Sequence, residues 1–344
     1  MADQPATLRD VAAAARVHPA TASRALNPQT RALVSEQTAL RVTEAAAALG
    51  YRPNPVARSL RTRRSQTISV LIPDLNNPLF PPMVGGLEDE LTAAGYVALL
   101  GNTDGDTGKE QAIFEQMRAR HVDGFVLATA HTDDPVLAEA ARDHLPVVLM
   151  NRLDPQHDFS SVSVDNEQGM RMSVEHLVAL GHTRIAHLAG PSQVSTGEGR
   201  RRGYLEGLKT ANLEPVEDLV VSATGYTVEE GIRCCRELLG RRDQGAGFTA
   251  IAVANDMLAV GCLTALDEAG LQCPDDLSLV GFNDMPFVDR LRPALTTIRF
   301  AHYQLGTEAA QLLLERINTP EAPVKIRYVD PELVVRASTA ALVP

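Results

Sequence analysis

Cysteine is scarce in this chain, which has only four cysteines among its 344 residues. No CxxC pair and no Cys/His ligand spacing is present, and Cys234 and Cys235 are adjacent in a segment with a helical pattern. The other two, Cys262 and Cys273, stand apart from any histidine cluster. We therefore expect buried or idle thiols, and we predict neither a metal site nor a cofactor.

Long apolar runs are also missing. No stretch approaches the roughly 18 apolar residues that a membrane span needs, and the first residues, MADQPATLRDVAAAARVH, carry acids and lack an apolar signal core. With 44% apolar and 22% charged residues, the composition is typical of a soluble globular protein. The expected location is the cytoplasm, with no membrane partner.

Catalytic motifs are missing as well. The sequence contains no GxSxG, no HExxH and no P-loop lysine motif. The glycine-rich run from Gly197 to Gly203 has Arg202 where a dinucleotide fingerprint requires its third glycine. We therefore predict that the protein is not an enzyme and assign no catalytic residue.

Charge is distributed unevenly along the chain. Residues 1–65 hold ten arginines and four acidic residues, a net charge of +6, so that −17 falls on residues 66–344 within the total of −11. Phosphate contacts set the affinity of proteins that bind polyanions. A basic head on an acidic body therefore indicates that the head alone meets nucleic acid. A solvated charge run is the alternative.

The head is predicted to contain three helices. Thr7 opens a capping box, and a second helix begins at Pro19, where proline loses no hydrogen bond, and continues to Asn27. A third helix follows Ser35, a natural N-cap, and stops at Gly50. Two short helices joined by about three residues and followed by a third make a helix-turn-helix unit.

A short basic segment follows the head. Asn54 can cap, and Pro55 can start, a helix of only about two turns, which is marginal alone because nucleation is costly. We expect this helix to form only when something holds it. The predicted domains are a DNA-binding domain at 1–53, a hinge helix and linker at 54–66, and a two-lobed domain at 67–344.

From residue 67 onward, short apolar runs alternate with amphipathic segments of helical period. This repetition predicts buried parallel sheets with right-handed crossovers. At least two sheets are needed, and the pattern recurs in both halves, so we predict two similar α/β lobes. Because ligands of such sheets bind beyond the carboxyl ends of the strands, the cleft between the lobes is the natural site. The predicted strands cover 68–72, 96–100, 125–128, 147–150, 185–189, 251–254 and 277–280.

Several segments together resemble the lactose-repressor (LacI/GalR) family of transcription regulators. They are TLRDVAAAARVHPATASRALN and VSEQTALRVTEAAAALGYRPNPVARSL in the head, and ISVLIPDLNNPLF, VDNEQGM, GHTRIAHLAGP, ANDMLAVG and DLSLVGFNDMPFVDRLRPALTTIR in the body. The resemblance covers essentially the whole chain in order. It implies an all-α helix-turn-helix domain and a periplasmic-binding-protein-like body, in a bacterial repressor at the nucleoid. Such a repressor binds a palindromic double-stranded operator as a homodimer under the control of a small-molecule effector.

The resemblance also assigns roles in DNA binding. Pro19 and Ala20 hold the base-reading positions, and without donors they can read only shape or a thymine methyl. Arg24 can bind guanine or phosphate, with a solvated charge as the alternative. Leu60 matches a leucine that the family inserts into the minor groove, where Ala57 permits close approach; packing of Leu60 on the body is the alternative. The predicted DNA-binding residues are Thr7, Pro19, Ala20, Thr21, Ser23, Arg24, Asn27, Ser35, Tyr51, Asn54, Ala57 and Leu60.

An effector site is predicted in the cleft. Phe80 and Tyr226 follow strands of different lobes and can sandwich a sugar or a base, although a lone aromatic is more often a core residue. Arg200 matches the family arginine that hydrogen-bonds effectors. Asn283 replaces the aspartate of several relatives, and Val194 stands where the purine repressor has arginine, so a sugar-like ligand is favoured over a purine. The predicted effector-binding residues are Phe80, Asp165, Thr196, Arg200, Tyr226, Asn255 and Asn283.

Two departures from the family pattern fall in the head. Arg16 occupies a turn position where the family has glycine, and His18 replaces a serine cap. The segment 28–33 is also longer than in the lactose repressor. Each of these features bears on the docking geometry rather than on the fold.

Two other classes of protein fit parts of the pattern. A sugar-binding transport protein would need an export signal and no basic head, and this chain has the reverse. An α/β enzyme would need a catalytic constellation in the cleft, and the sequence shows none. The effector-controlled DNA-binding repressor is therefore the favoured interpretation.

Overall fold

The computed structural model describes residues 6–27, 30–52 and 64–342. The chain divides into two compact units, Met1–Ser65 and Gln66–Pro344, here called the head and the body. Each unit has its own hydrophobic core. The hinge residues Asn54, Ala57 and Leu60 lie outside the described residues. The domain bounds 1–53, 54–66 and 67–344 therefore stay a prediction.

The head is helical in all of its regular structure that is described. Its helices are α1 (Leu8–Ala14), α2 (Pro19–Leu26) and α3 (Glu36–Ala48), with a 3-10 turn at Arg31–Leu33. Small side chains such as Val11, Ala22, Ala25 and Val42 form the core, which lets three short helices pack closely. The predicted helix-turn-helix arrangement is confirmed.

Side-chain caps fix the ends of these helices. Thr7 Oγ1 accepts a hydrogen bond from the Asp10 amide at 3.4 Å, and the Asp10 carboxylate accepts one from the Thr7 amide at 2.8 Å. His18 Nδ1 accepts from the Ala20 amide at 3.2 Å and so caps α2 in place of a serine. Ser35 caps α3. The histidine at position 18 therefore keeps the function of the cap.

Arg16 lies in the turn between α1 and α2 with φ of 52°, the left-handed region that favours glycine. Replacing Arg16 by glycine removes this strain, so we expect the head to gain about 0.5 to 1 kcal/mol of stability. Hydrogen exchange of the buried α1 and α2 amides, measured on the full chain, should slow about 2- to 5-fold. In the matched control Ala13→Gly, within α1, exchange should accelerate. Faster exchange in Arg16→Gly would contradict the strain argument.

The body contains two lobes, each built around a six-stranded sheet. The first lobe comprises β1 (Thr67–Ile72), α4 (Phe80–Ala93), β2 (Val97–Asn102), α5 (Thr107–Ala119), β3 (Gly124–Leu127), α6 (Pro135–Arg142), β4 (Val147–Met150), β5 (Ser160–Val164), α11 (His302–Asn318) and β11 (Ile326–Val329). The second lobe comprises α7 (Asn166–Ala179), β6 (Ile185–Ala189), α8 (Ser195–Thr210), β7 (Val220–Ser222), α9 (Val228–Arg241), β8 (Ala250–Val253), α10 (Asp256–Glu268), β9 (Ser278–Asn283), β10 (Thr296–Arg299) and β12 (Glu332–Val334).

The two sheets have closely similar topologies. The first has the order β11-β5-β4-β3-β1-β2 and is parallel throughout. The second has the order β12-β10-β9-β8-β6-β7 and is parallel except for β12, which pairs antiparallel with β10. The chain passes between the lobes after β5, after β10 and after β11. The predicted pair of similar parallel-sheet lobes is confirmed.

Strands rich in serine or threonine were not among the predicted runs. β5 has the sequence SSVSV and β10 the sequence TTIR, and neither shows a continuous apolar run. Both are nevertheless largely buried, because their hydroxyls have partners inside the protein. Ser161 Oγ, for example, donates to the Phe159 carbonyl at 3.1 Å, and Ser163 Oγ accepts from Asn166 at 3.3 Å.

The cysteines lie in the second lobe. Cys234, Cys235 and Cys262 are buried and Cys273 is half-buried, all as free thiols. Burial raises the pKa of Cys234 to about 11 and that of Cys273 to about 12. Both thiols therefore stay protonated near neutral pH, as expected for unreactive core residues.

A membrane crossing requires a helix that is both long and apolar. Among the described residues, no helix combines the necessary length with the necessary apolar content.

Candidate functional site

The exposed face of α2 carries residues predicted to bind DNA. Ala22 and Ala25 are buried in the head core, whereas Pro19, Ala20 and Arg24 are exposed. The amino-terminal end of α2 and the Arg24 side chain are therefore accessible to a partner. This is the arrangement that a recognition helix needs in order to reach base edges in the major groove.

The other described residues predicted for DNA binding occupy less exposed or structural positions. Thr21, Ser23 and Asn27 are half-buried on α2 and at its end. Thr7 and Ser35 are exposed but use their hydroxyls as helix caps. Tyr51 is half-buried and packs against the head core. Asn54, Ala57 and Leu60 lie outside the described residues.

A cavity of about 400 Å³ lies between the lobes of the body. Its walls are formed by residues at or just beyond the carboxyl ends of the strands in both sheets, as the parallel topology predicts. Six of the seven predicted effector-binding residues line it: Phe80, Thr196, Arg200, Tyr226, Asn255 and Asn283.

Asp165, the seventh predicted residue, is not among those that line the cavity. Its Oδ1 accepts a hydrogen bond from the Gln168 amide at 2.9 Å and so caps α7. The next residue, Asn166, contacts the cavity wall, since its Oδ1 accepts a hydrogen bond from Arg200 Nε at 2.9 Å, although Asn166 does not itself line the cavity. The sequence pattern did not reveal β5, so it could not show which residue after that strand turns inward.

Arg200 forms part of the second-lobe wall and is only 2% exposed. It donates hydrogen bonds to Asn166 Oδ1 at 2.9 Å, to the Ala254 carbonyl at 2.6 Å and to Asn283 Oδ1 at 3.3 Å. The centre of the Phe282 ring lies 3.9 Å from its Cζ. Burial lowers the pKa of Arg200 to about 10, so the guanidinium remains charged at neutral pH. These contacts hold the cation in one orientation.

The two aromatic residues of the site come from opposite lobes. Phe80 is 2% exposed at the start of α4. The Tyr226 hydroxyl lies 3.1 Å from Thr196 Oγ1, so the two hydroxyls share a hydrogen bond. Its ring rests on Gly190, where a Cβ would lie 2.4 Å from the phenol oxygen. Glycine at position 190 therefore makes room for the tyrosine.

Several polar residues of the cavity were not predicted from the sequence, among them His131, Asn151 and Arg152. Asn151 and Arg152 directly follow the predicted strand 147–150, so the rule that ligands bind beyond strand ends was sufficient to find them. Arg152 is 5% exposed, and burial lowers its pKa. Its Nη1 donates to the Asn151 carbonyl at 2.8 Å.

Four buried polar atoms of the cavity lack a hydrogen-bond partner in the described part of the chain. They are His131 Nδ1, Asn151 Oδ1, Arg152 Nε and Asn283 Nδ2. Each buried unpaired polar group costs about 1 to 3 kcal/mol, so ligands that supply partners gain affinity here. The cavity is therefore suited to a polar ligand.

Behind the first-lobe wall lies Glu110, which is 2% exposed and accepts a hydrogen bond from Thr129 Oγ1. Burial and the nearby Asp134 raise the pKa of Glu110 to about 7. Ligating atoms of Glu110, His131 and Asp134 lie within 4.8 Å of one another. However, both carboxylate oxygens of Asp134 already accept backbone amide hydrogen bonds. Hydrogen bonds within the protein thus already occupy part of this set of candidate metal ligands.

Both units match known protein families. Residues 7–54 match "Bacterial regulatory proteins, lacI family", and residues 174–339 match "Periplasmic binding protein-like domain". The HTH-type transcriptional repressor CytR of Escherichia coli (strain K12) is 32% identical, over 98% of this chain and 97% of its own length. The chain belongs to the LacI family of bacterial regulatory proteins.

Other LacI-family proteins are similar over a comparable length. The ribose operon repressor of Bacillus subtilis (strain 168) is 36% identical over 90% of this chain and 91% of its own. The crystal structure of the lac repressor dimer bound to operator and the anti-inducer ONPF has a TM-score of 0.85 at 29% identity, covering 98% of this chain and 100% of that chain.

The predicted family and fold are confirmed by these similarities. The matched LacI-family members are transcriptional regulators rather than enzymes, so the protein is a DNA-binding transcriptional regulator. The match of the head to the LacI family also removes the transport-protein alternative, which required a chain without such a head.

Proposed function

We propose that this LacI-family regulator is a repressor that binds a palindromic operator as a homodimer and responds to a sugar-like effector in the body. The observation that carries the proposal is the cavity between the lobes, whose buried polar atoms lack partners within the described residues. A regulator with such a cavity has a place in which a small molecule can act.

DNA binding is supported by the charge and the geometry of the head. Its net charge of +6 favours a polyanion, and α2 exposes Pro19, Ala20 and Arg24. One recognition helix per chain reads one half-site, so a palindrome requires two chains. We further propose that Leu60 of the hinge inserts between base pairs in the minor groove, where the extra protein surface that the bent DNA contacts offsets the cost of unstacking.

The choice of a sugar-like effector rests on the polar lining. Arg200, Asn255 and Asn283 combine with the aromatic rings of Phe80 and Tyr226 in one cavity. Hydroxyl groups both donate and accept hydrogen bonds, so they can pair with the unpartnered polar atoms of the cavity, which an apolar ligand would leave without partners. That a relative is a ribose operon repressor agrees with this choice.

The DNA part of the proposal is tested with the full-length protein and palindromic duplexes selected from a random pool. Binding should weaken steeply with salt, with a slope near −0.9 per neutralised phosphate. The affinity should depend on dimer formation. A single chain that binds one half-site as tightly as the dimer binds the palindrome would contradict the proposal.

The effector part is tested by thermal-shift screening of the same protein against sugars and nucleosides. A ligand present at 100 times its dissociation constant adds about 2.7 kcal/mol of stability, which is readily detected. Each compound that binds is then added to the protein–operator complex. A sugar that binds but leaves operator affinity unchanged would rule out its role as an effector.

A further inference from the structure

Two buried guanidinium groups line the effector cavity. Arg152 is 5% exposed and Arg200 is 2% exposed. The like charge of Arg152 contributes to the lowered pKa of Arg200, so each cation lies within the field of the other. All of their hydrogen-bond acceptors in the described residues are neutral, either backbone carbonyls or side-chain amides. Neither cation therefore hydrogen-bonds to a carboxylate in that part of the chain.

Two buried carboxyl groups act electrostatically on these cations. Glu110 and Asp256 do not line the cavity. Burial raises the pKa of Glu110 to about 7 and that of Asp256 to about 6, so Glu110 is partly ionised and Asp256 mostly ionised near neutral pH. Their charges act on Arg152 and Arg200 respectively, but neither carboxylate forms an ion pair or a hydrogen bond with these arginines in the described residues. Asp256 also accepts hydrogen bonds from Thr297 Oγ1 and the Met285 amide, at 2.6 and 2.9 Å.

Two further carboxylates stand at the rim of the cavity, in half-buried or exposed positions. Asp74 accepts a hydrogen bond from the Asn76 amide at 2.8 Å. Asp104 forms an ion pair with Lys109. Both rim carboxylates thus have partners of their own, and the interior wall keeps two cations whose hydrogen-bond acceptors in the described residues are neutral.

A buried charge without a counter-charge is costly, because the low-dielectric interior does not replace its hydration. The planar guanidinium matches the two oxygens of a carboxylate or a phosphate and binds them by paired hydrogen bonds. Arg152 Nε, one of the donors that such an acceptor needs, has no partner within the described residues. A ligand with an anionic group would supply both the acceptor and the charge.

We propose that the effector of this protein is an anionic, sugar-like molecule whose carboxylate or phosphate group faces Arg152 and Arg200. The inference rests on the proposed effector cavity and names the chemical class of its ligand. The amide oxygen of Asn283 contacts Arg200 at the place where an aspartate would neutralise the cation. In the proposed complex, the anionic group of the ligand supplies the negative charge that asparagine lacks at position 283.

The first test needs no ligand. In Asn283→Asp, a carboxylate is placed against Arg200, so the melting temperature of the free full-length protein should rise by about 2 to 4 °C at neutral pH. Asn151→Asp, beside Arg152, should act in the same direction. The matched control is Gln193→Glu, which adds the same charge at an exposed position of the rim and should leave the melting temperature unchanged. If both aspartate variants melt at or below the wild-type temperature, the proposal is wrong.

The second test compares anions with their neutral parents. The probes are D-glucose, D-gluconate and D-glucose 6-phosphate, and D-ribose with D-ribose 5-phosphate, each titrated into the full-length protein by calorimetry. An anionic member should bind about 10-fold or more tightly than its neutral parent, and Asn283→Asp should abolish that preference. If gluconate binds more tightly than the sugar phosphates, the ligand carries a carboxylate. If the sugar phosphates bind more tightly, the ligand carries a phosphate. Neutral sugars that bind as tightly as the anions would overturn the proposal.

Failure of the inference differs from failure of the proposed function. If neutral sugars bind and release the operator, the repressor function stands and only the anionic class is refuted. If no duplex is bound, the function fails, while the ranking of the probes still decides the ligand class. If none of the probes binds, the melting temperatures of Asn283→Asp and Asn151→Asp alone decide whether the proposal of an anionic ligand stands.

Discussion

Replacing Arg200 by alanine is expected to weaken effector binding about 10- to 150-fold, while the ligand-free protein still binds its operator. A hydrogen bond to a charged group contributes about 1.5 to 3 kcal/mol, and that contribution is lost with the guanidinium. The substitution also leaves the side-chain oxygens of Asn166 and Asn283 without the donor that now holds them in place. The measurement is a titration of the ligand identified by screening into the protein–operator complex.

Arg202→Ala is the matched control for this prediction. Arg202 lies on the same helix, α8, but its side chain is exposed and pairs with Glu167 and Glu198. Its loss should change the effector response less than about 2-fold, because exposed ion pairs contribute little. Thermal melting of both variants checks that they fold. An unchanged response in Arg200→Ala would mean that Arg200 only supports the wall of the cavity.

Replacing Arg24 by alanine is expected to weaken operator binding about 5- to 150-fold, which corresponds to the loss of about 1 to 3 kcal/mol of base discrimination. Arg24 is the exposed arginine of α2, whereas Ala22 and Ala25 of the same helix face the core. Its removal therefore leaves the head fold intact. Affinities for the selected operator and for a random duplex should be measured side by side at one salt concentration.

The control for Arg24 is Arg41→Ala, an exposed arginine on α3. It removes the same charge from the same unit, so any purely electrostatic effect should be shared by both variants. We expect Arg41→Ala to reduce operator and random-duplex binding by similar, small factors. If Arg24→Ala also weakens both duplexes equally, Arg24 binds phosphate and does not read bases.

Local signals in the sequence were sufficient for the head. The caps Thr7 and Ser35, the proline at the start of α2 and the unusual φ of Arg16 all depend on a few neighbouring residues. Such short-range hydrogen bonds and steric limits are encoded within one or two helical turns. The structure therefore reproduces the predicted helices to within one or two residues.

In the body, the sequence determined which residues follow each apolar strand, and six of the seven predicted effector residues line the cavity. Only the tertiary structure decided between Asp165 and Asn166, which are adjacent in the chain after β5, a strand without an apolar run. The Asp165 side chain caps α7, whereas the Asn166 side chain contacts Arg200.

The tertiary structure also decided the electrostatics of the cavity. Arg152 and Arg200 are 48 positions apart in the sequence and belong to different lobes, and they line one cavity only because parallel sheets place their strand ends together. The sequence determines that both residues are cations. Whether a cation is buried, and whether a carboxylate contacts it, depends on long-range packing, and that packing brings the side-chain amides of Asn166 and Asn283 to Arg200.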